Sequence, residues 1–221
     1  MLKERNIAGI IFDLDGVICS TDEYHYLAWK FMADELGARF DRTINERLRG
    51  VSRMECLEIV LETYQGTLSP EEKQRYADKK NAAYQKHLLN MSPASLSEDV
   101  RHTLDTLRER GYRMAIGSSS KNTPLILKQI GLDRFFDAVA DGNSITKSKP
   151  DPEVFLQAAE GLGLKPEQCL VIEDAEAGIE AAQKGGMMSA AIGYAAGLGL
   201  GDIQLQKLSD LLDCMRICAK L

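Results

Sequence analysis

The chain has 221 residues, enough for one large domain or for a core with a small accessory domain. Hydrophobic residues make up 44% and charged residues 27%, an ordinary balance for a soluble globular protein. The net charge of −6 argues against a sequence-independent grip on nucleic acid.

The opening MLKERNIAGIIFD meets an acid after a short apolar run, which does not read as a secretory signal. A strand is predicted over Ile7–Phe12, followed at once by Asp13 and Asp15. Five cysteines without a CxxC pair (Cys19, Cys56, Cys169, Cys214, Cys218) predict reduced thiols in a cytoplasmic protein. The three histidines are scattered and suggest no zinc site.

From Thr21 to Leu89 no strand is predicted. Helical stretches run through YHYLAWKFMADELG, RMECLEIVLETY and PEEKQRYADKKNAAYQKHL. This segment reads as a helical module, residues 20–90, inserted into a sheet domain of residues 1–19 and 91–221. The linkers are expected near Cys19–Thr21 and Asn90–Ser97.

Beyond it, Glu98–Gly111 places Val100, Leu104 and Leu107 on one helical face and stops at glycine. A strand follows at Arg113–Gly117. Thr123-Pro124 and Asp151-Pro152 mark helix starts with proline just inside, on either side of a strand at Ala138–Ala140. A strand at Leu170–Ile172, a helix closing on Gly185-Gly186 and a strand at Ser189–Ile192 come next. GLGLGD near Gly197 lacks the strand-to-helix setting of a dinucleotide loop and reads as a flexible connection. LLDCMRICAKL reads as a final amphipathic helix. Strands alternating with helices predict a parallel sheet covered on both faces, and no run approaches the roughly 18–20 apolar residues of a membrane span.

In such a sheet, ligands bind beyond the carboxyl ends of the strands. Asp13-Leu14-Asp15-Gly16 would send both carboxylates to one side and Leu14 to the other, or would simply close the strand in an Asx-turn. GSSSKN, residues 117–122, is a natural phosphate cradle or an ordinary capping loop. KSKPDP, residues 147–152, offers lysines that neutralise a phosphate or a carboxylate, or that are merely solvated. EDAEAG places Glu173 and Asp174 together, either at a second acidic site or at a helix cap. If the strands are neighbours, Asp13, Asp15, Glu173 and Asp174 converge at one edge. So many carboxylates call for a counter-charge, and an oxygen-ligated Mg²⁺ carrying a phosphate fits.

DLDGV, the Ser118–Ser120 loop, SKPDP and EDAEAGI stand in the order and spacing of the haloacid dehalogenase-like phosphotransferases, which the whole chain resembles. That resemblance implies a Rossmann-like α/β parallel-sheet core with helices on both faces, plus an inserted small α-helical cap domain. Within the superfamily, EYHYLAW, LRGVSR, KKN, SSSKN and SKPDP are similar to the β-phosphoglucomutases. The similarity implies Asp13 as nucleophile, Asp15 as general acid and base, and Ser118 and Lys149 as ligands of the transferring phosphoryl group. It implies Mg²⁺ held by Asp13, the Asp15 carbonyl, Glu173 and Asp174. It further implies a second phosphate grip from Arg49, Gly50, Arg53, Lys80 and Asn81, with Ser120, Lys121 and Asn122 facing the distal phosphate. Thr21 and His25 would link the hinge to the general acid, while Trp29 and Met32 read as core.

Three positions depart from that pattern: the hinge reads Cys19-Ser20-Thr21, Arg49 replaces a lysine, and Cys56 replaces a serine. The expected activity is interconversion of β-glucose 1-phosphate and glucose 6-phosphate through the 1,6-bisphosphate. A sugar-phosphate phosphatase is the alternative, and a non-catalytic phosphosugar-binding protein the third reading. The expected partners are small sugar phosphates, with no nucleic acid and no membrane, and the expected state is a cytoplasmic monomer.

Overall fold

The computed structural model describes residues 6–48 and 52–215. The chain divides into two compact units, with the divisions at Ser20/Thr21 and Met91/Ser92. One unit holds the described residues up to Ser20 and from Ser92 onward; the other is Thr21–Met91.

The first unit is built on a six-stranded parallel sheet in the order β3-β2-β1-β4-β5-β6. The strands are β1 (Gly9–Phe12), β2 (Arg113–Gly117), β3 (Ala138–Ala140), β4 (Cys169–Glu173), β5 (Met188–Ala191) and β6 (Ile203–Gln204). Phe12 at the end of β1 is in register with Ile116 of β2 on one side and Ile172 of β4 on the other. All four residues of β1 and all five of β4 are buried. Successive side chains point to opposite faces, so both faces of the sheet are covered.

The covering helices follow the expected signals. Helix α5 (Glu98–Glu109) starts at Ser97, whose hydroxyl accepts the Val100 N–H at 3.2 Å, and buries Val100, Leu104 and Leu107. Helix α6 (Thr123–Gln129) carries Pro124 in its first turn. Helix α7 (Glu153–Gly161) packs Val154, Phe155, Ala158 and Ala159 into a core with Ile11, Ala115 and Val171. Helix α8 (Glu176–Lys184) adds Ala181 and Ala182 to the same core.

The start of α7 is as expected: Pro152 stands in helical backbone and the Asp151 carboxylate caps the helix, accepting the Glu153 N–H at 3.1 Å. Several other expectations are corrected. Strand β6 and the short helix α9 (Gly193–Gly197) are additional elements, too brief for periodicity to reveal. The stretch after Gly197 is a hydrogen-bonded turn: Gln204 Nε2 donates to the carbonyls of Leu200 (2.9 Å) and Gly201 (3.1 Å). The last described helix, α10 (Leu211–Cys214), is only four residues long, and the rest of the expected terminal helix lies outside the described residues.

The second unit is helical: α1 (Asp22–Leu36), α2 (Arg42–Glu46), α3 (Arg53–Leu61) and α4 (Pro70–Leu88). Capping boxes start α3 (Ser52 with Glu55) and α4 (Ser69 with Glu72), which is why both begin where they do. Trp29, Met32, Phe40, Leu57, Val60 and Ala77 form its core, with α1 packed along α4. Trp29 and Met32 are therefore core residues. Among the described residues no helix is long and apolar enough to cross a membrane.

Candidate active site

Because β1 lies between β2 and β4, the loops after these three strands open side by side at one sheet edge. Asp13 follows β1 directly, its N–H donating to Ile172 O at 2.9 Å. Leu14 is fully buried, and the Asp15–Cys19 turn is closed by Gly16 N–H to Cys19 O at 2.7 Å.

Lys149 reaches this edge from the β3–α7 loop. Its ammonium donates to Asp13 Oδ1 at 2.5 Å and to Glu173 Oε1 at 2.7 Å. All three side chains are about nine-tenths buried or more, with 8% of the lysine, 10% of the aspartate and 2% of the glutamate side chain exposed. Burial pushes the Asp13 carboxyl up to about 7 against the pull of Lys149, with the Glu173 and Asp15 charges adding to the rise. Burial alone would depress Lys149, but Asp13 and Glu173 reverse that and hold its ammonium well above the usual lysine range. The cation thus belongs to the acid cluster and is not a solvated surface lysine.

Both oxygens of Glu173 are occupied, Oε1 by Lys149 and Oε2 by the Ala175 N–H at 2.8 Å. The residue lies against the first turn of α8, where a Cβ on Gly178 would fall 1.9 Å from Oε1. Asp174 stands beside it, its carboxyl pushed up to about 8 by burial, then by Glu173, Asp13 and Asp15. Gly16, at φ 88°, leaves its missing Cβ to Asp174 Oδ2, which would lie 2.1 Å away. The two glycines let the carboxylates sit against backbone.

Among the described residues no three His, Cys, Asp or Glu side chains gather as a metal cage on their own. The donors that remain fit Mg²⁺ in a different way. Asp13 and Asp174 are hard, half-compensated carboxylates, and magnesium binds through one or two carboxylates with waters and phosphate oxygens completing the octahedron.

The hydroxyl loop follows β2. Ser118 is buried, with its N–H on Ala140 O at 3.1 Å and its Oγ accepting the Ser120 N–H at 3.2 Å. Ser120 Oγ in turn accepts the Asn122 N–H at 3.2 Å. Ser119 Oγ is buried without a hydrogen-bond partner, a costly state for a hydroxyl. The structure thus brings together Asp13, Asp15, Ser118, Lys149, Glu173 and Asp174 at one edge, with Ser120, Lys121 and Asn122 next to Ser118.

The remaining expected residues belong to the helical unit. Lys80 is 3% exposed, its ammonium 2.9 Å from His25 Nδ1 and 4.8 Å from the ring centres of both Trp29 and Tyr84. Burial, Lys80 and Arg53 hold His25 well below the ordinary histidine range, so it is neutral. Thr21 Oγ1 is paired with the Tyr84 hydroxyl at 2.8 Å. Burial lowers Arg53, which stands at the start of α3. Cys56 Sγ donates to Leu48 O at 3.5 Å and is buried, which pushes its thiol up to about 12. Arg49 and Gly50 lie outside the described residues.

Sequence reading missed the two fitted glycines. Gly16 and Gly178 stand inside legible motifs, but their fit to a carboxylate is a property of distance and leaves no mark in spacing.

Comparison with known proteins agrees with this geometry. A family model for haloacid dehalogenase-like hydrolases matches residues 7–186. A β-phosphoglucomutase of Bacillus subtilis is 40% identical over 205 residues, covering 91% of this chain and 90% of that protein. A fructose-1-phosphate phosphatase of Escherichia coli is 33% identical over 181 residues, covering 81% and 93%. The crystal structure of a β-phosphoglucomutase from Clostridium difficile superposes with a TM-score of 0.85 at 35% identity, covering 93% of each chain. With its acid edge, its hydroxyl loop and this match over most of its length, the chain belongs to the haloacid dehalogenase-like hydrolase family.

Proposed function

We propose that the protein is a Mg²⁺-dependent β-phosphoglucomutase, interconverting β-D-glucose 1-phosphate and glucose 6-phosphate through β-glucose 1,6-bisphosphate. The observation that carries this reading is the similarity to two β-phosphoglucomutases over nine-tenths of this chain and of theirs. The acid edge supplies the chemistry.

Asp13 attacks the 1-phosphorus of β-glucose 1,6-bisphosphate, forming an aspartyl-phosphate as the bond to the sugar oxygen breaks and glucose 6-phosphate leaves. Asp15 gives that departing oxygen its proton. In the return step the 6-hydroxyl of β-glucose 1-phosphate loses its proton to Asp15 and attacks the aspartyl-phosphate, re-forming the bisphosphate and freeing Asp13. Lys149 and Ser118 neutralise and orient the phosphoryl oxygens. Asp13, Asp174 and the Asp15 carbonyl would hold Mg²⁺, which supplies Lewis-acid stabilisation of the phosphoryl charge when bound. Glu173 is proposed to join them as a metal ligand, and it also holds the lysine, accepting from Lys149 and from the Ala175 N–H. Arg49, Gly50, Arg53, Lys80 and Asn81 are the proposed substrate-binding residues of the helical unit, and Ser120, Lys121 and Asn122 those of the sheet unit, facing the distal phosphate. Thr21 and His25 are the proposed hinge group.

A second reading, a sugar-phosphate phosphatase, draws support from the similarity to the fructose-1-phosphate phosphatase. In that case water attacks the aspartyl-phosphate. The four described cysteines are free thiols, in keeping with a cytoplasmic enzyme.

One assay separates the two readings. With Mg²⁺, β-glucose 1-phosphate and a trace of its bisphosphate, a mutase makes glucose 6-phosphate with little inorganic phosphate. Free phosphate as the main product assigns the protein to the phosphatases. Asp13→Asn should abolish either activity and any phosphoprotein seen by mass spectrometry.

A further inference from the structure

The loop that leaves β3, Asp141-Gly142-Asn143, is built against the hydroxyl loop. Asn143 Nδ2 donates to Lys121 O at 3.0 Å and to Asp141 Oδ2 at 3.2 Å. Both partners are pure acceptors, so the amide nitrogen, not its oxygen, must face them. Asp141 is buried and holds the asparagine from a second side, accepting the Asn143 N–H at 2.8 Å.

The peptide between Lys121 and Asn122 is thereby clamped at both ends. Its carbonyl accepts from Asn143 and its N–H donates to Ser120 Oγ. A trans peptide is planar, with C=O and N–H pointing opposite ways, so these two contacts fix the orientation of the whole plane. Gly142 tightens the same contact. Its N–H donates to Ser120 O at 3.2 Å, and a Cβ there would lie 2.3 Å from Ser119 O. None of these contacts reaches Asp13 or Lys149.

We infer that Asn143 is a positioning residue that presents Ser120, Lys121 and Asn122 to the distal phosphate of the sugar substrate. This rests on the mutase reading above. The clamp meets the site of the transferring phosphate only through the Ser120 N–H on Ser118 Oγ, whereas it holds the Lys121–Asn122 peptide directly. Loss of a single neutral hydrogen bond changes an equilibrium by roughly three- to tenfold. Asn143→Ala should therefore raise KM for β-glucose 1,6-bisphosphate by about that factor. Mg²⁺-dependent hydrolysis of a simple aryl phosphate, which has no distal group, should stay within about twofold, and the thermal midpoint should stay near that of the parent.

The experiment measures both substrates on the parent protein and on Asn143→Ala, with thermal unfolding alongside. A selective rise in the bisphosphate KM supports the assignment. An unchanged KM, or equal losses on both substrates, overturns it. Should Asn143→Ala not fold, Asn143→Gln displaces the amide by one methylene and is read by the same two-substrate comparison. The parent protein tests the underlying reading separately: if it makes no glucose 6-phosphate, the mutase reading falls and takes this inference with it.

Discussion

The Lys149 ammonium sits between Asp13 and Glu173, 2.7 Å from the glutamate oxygen, so that one buried cation compensates two buried carboxylates. Neither acid would be stable there as an anion without it, since a buried unpaired charge costs several kcal/mol. Lys149→Met keeps an unbranched side chain of similar length and removes the charge, which lies 4.5 Å from the Phe155 ring centre. It should lower the unfolding free energy by about 3–5 kcal/mol at neutral pH and cut turnover by on the order of a thousandfold. Urea unfolding and steady-state rates read the two effects; turnover within tenfold of the parent would remove Lys149 from the phosphoryl site.

The glutamate depends on the absence of a side chain at Gly178. Gly178→Ala puts a methyl group 1.9 Å from Glu173 Oε1, so the carboxylate must swing away and release the lysine. The expected cost is about 1–3 kcal/mol of stability, typical of overpacking, with at least a hundredfold loss of turnover. Activity close to the parent's would mean that Glu173 moves without consequence for Lys149.

Asp174 makes opposite contributions with and without metal. Burial and three neighbouring acids push its carboxyl up to about 8, so its charge opposes folding in the metal-free protein at alkaline pH. Asp174→Asn should therefore raise the melting temperature in EDTA at pH 8. Added Mg²⁺ should stabilise the parent by about 2.7 kcal/mol at a hundred times its Kd and leave the variant nearly unmoved. Equal Mg²⁺ responses from the two proteins, read by thermal shift, would exclude Asp174 as a ligand.

His25 gives the helical unit a pH dependence of defined sign. Its folded pKa lies well below the ordinary 6.5 because burial and the Lys80 and Arg53 charges oppose protonation. Below pH 6.5 the unfolded chain takes up a proton that the folded chain refuses. Stability is thus fully present above that pH and is lost as pH falls toward the folded pKa, by up to about 1.4 kcal/mol per pH unit. His25→Asn should flatten the curve of unfolding midpoint against pH between 5 and 6.5. Parallel curves for parent and variant would show that the imidazole does not titrate differently on unfolding.

What the amino-acid sequence determined by itself was the sheet and the identity of its edge. Ile10-Ile11-Phe12, Met114-Ala115-Ile116 and Leu170-Val171-Ile172 are short apolar runs between helical stretches and read as buried strands, their adjacency left as a condition. Each is followed within a few residues by the groups that matter, Asp13 and Asp15, Ser118, and Glu173 with Asp174. Periodicity and caps also located α1, α3, α4, α5 and α8, because capping residues and apolar spacing act over one or two turns. α2, α9 and β6 are too short for such patterns and are held by contacts distant in sequence, as when Asp202 binds Ser189. Spacing alone left Lys147 and Lys149 of KSKPDP equal and the family resemblance implied Lys149; in the tertiary structure Lys149 meets Asp13, while Lys147 pairs with Asp151 and stays largely exposed. The tertiary structure alone showed the Glu173 carboxylate fitted against Gly178, the neutral His25 beside Lys80, and Asn143 fastened to Lys121. Those relationships join residues from 5 to 136 positions apart through distances of a few ångströms. Local spacing carries no record of them, because they come into being only when the strands take their order.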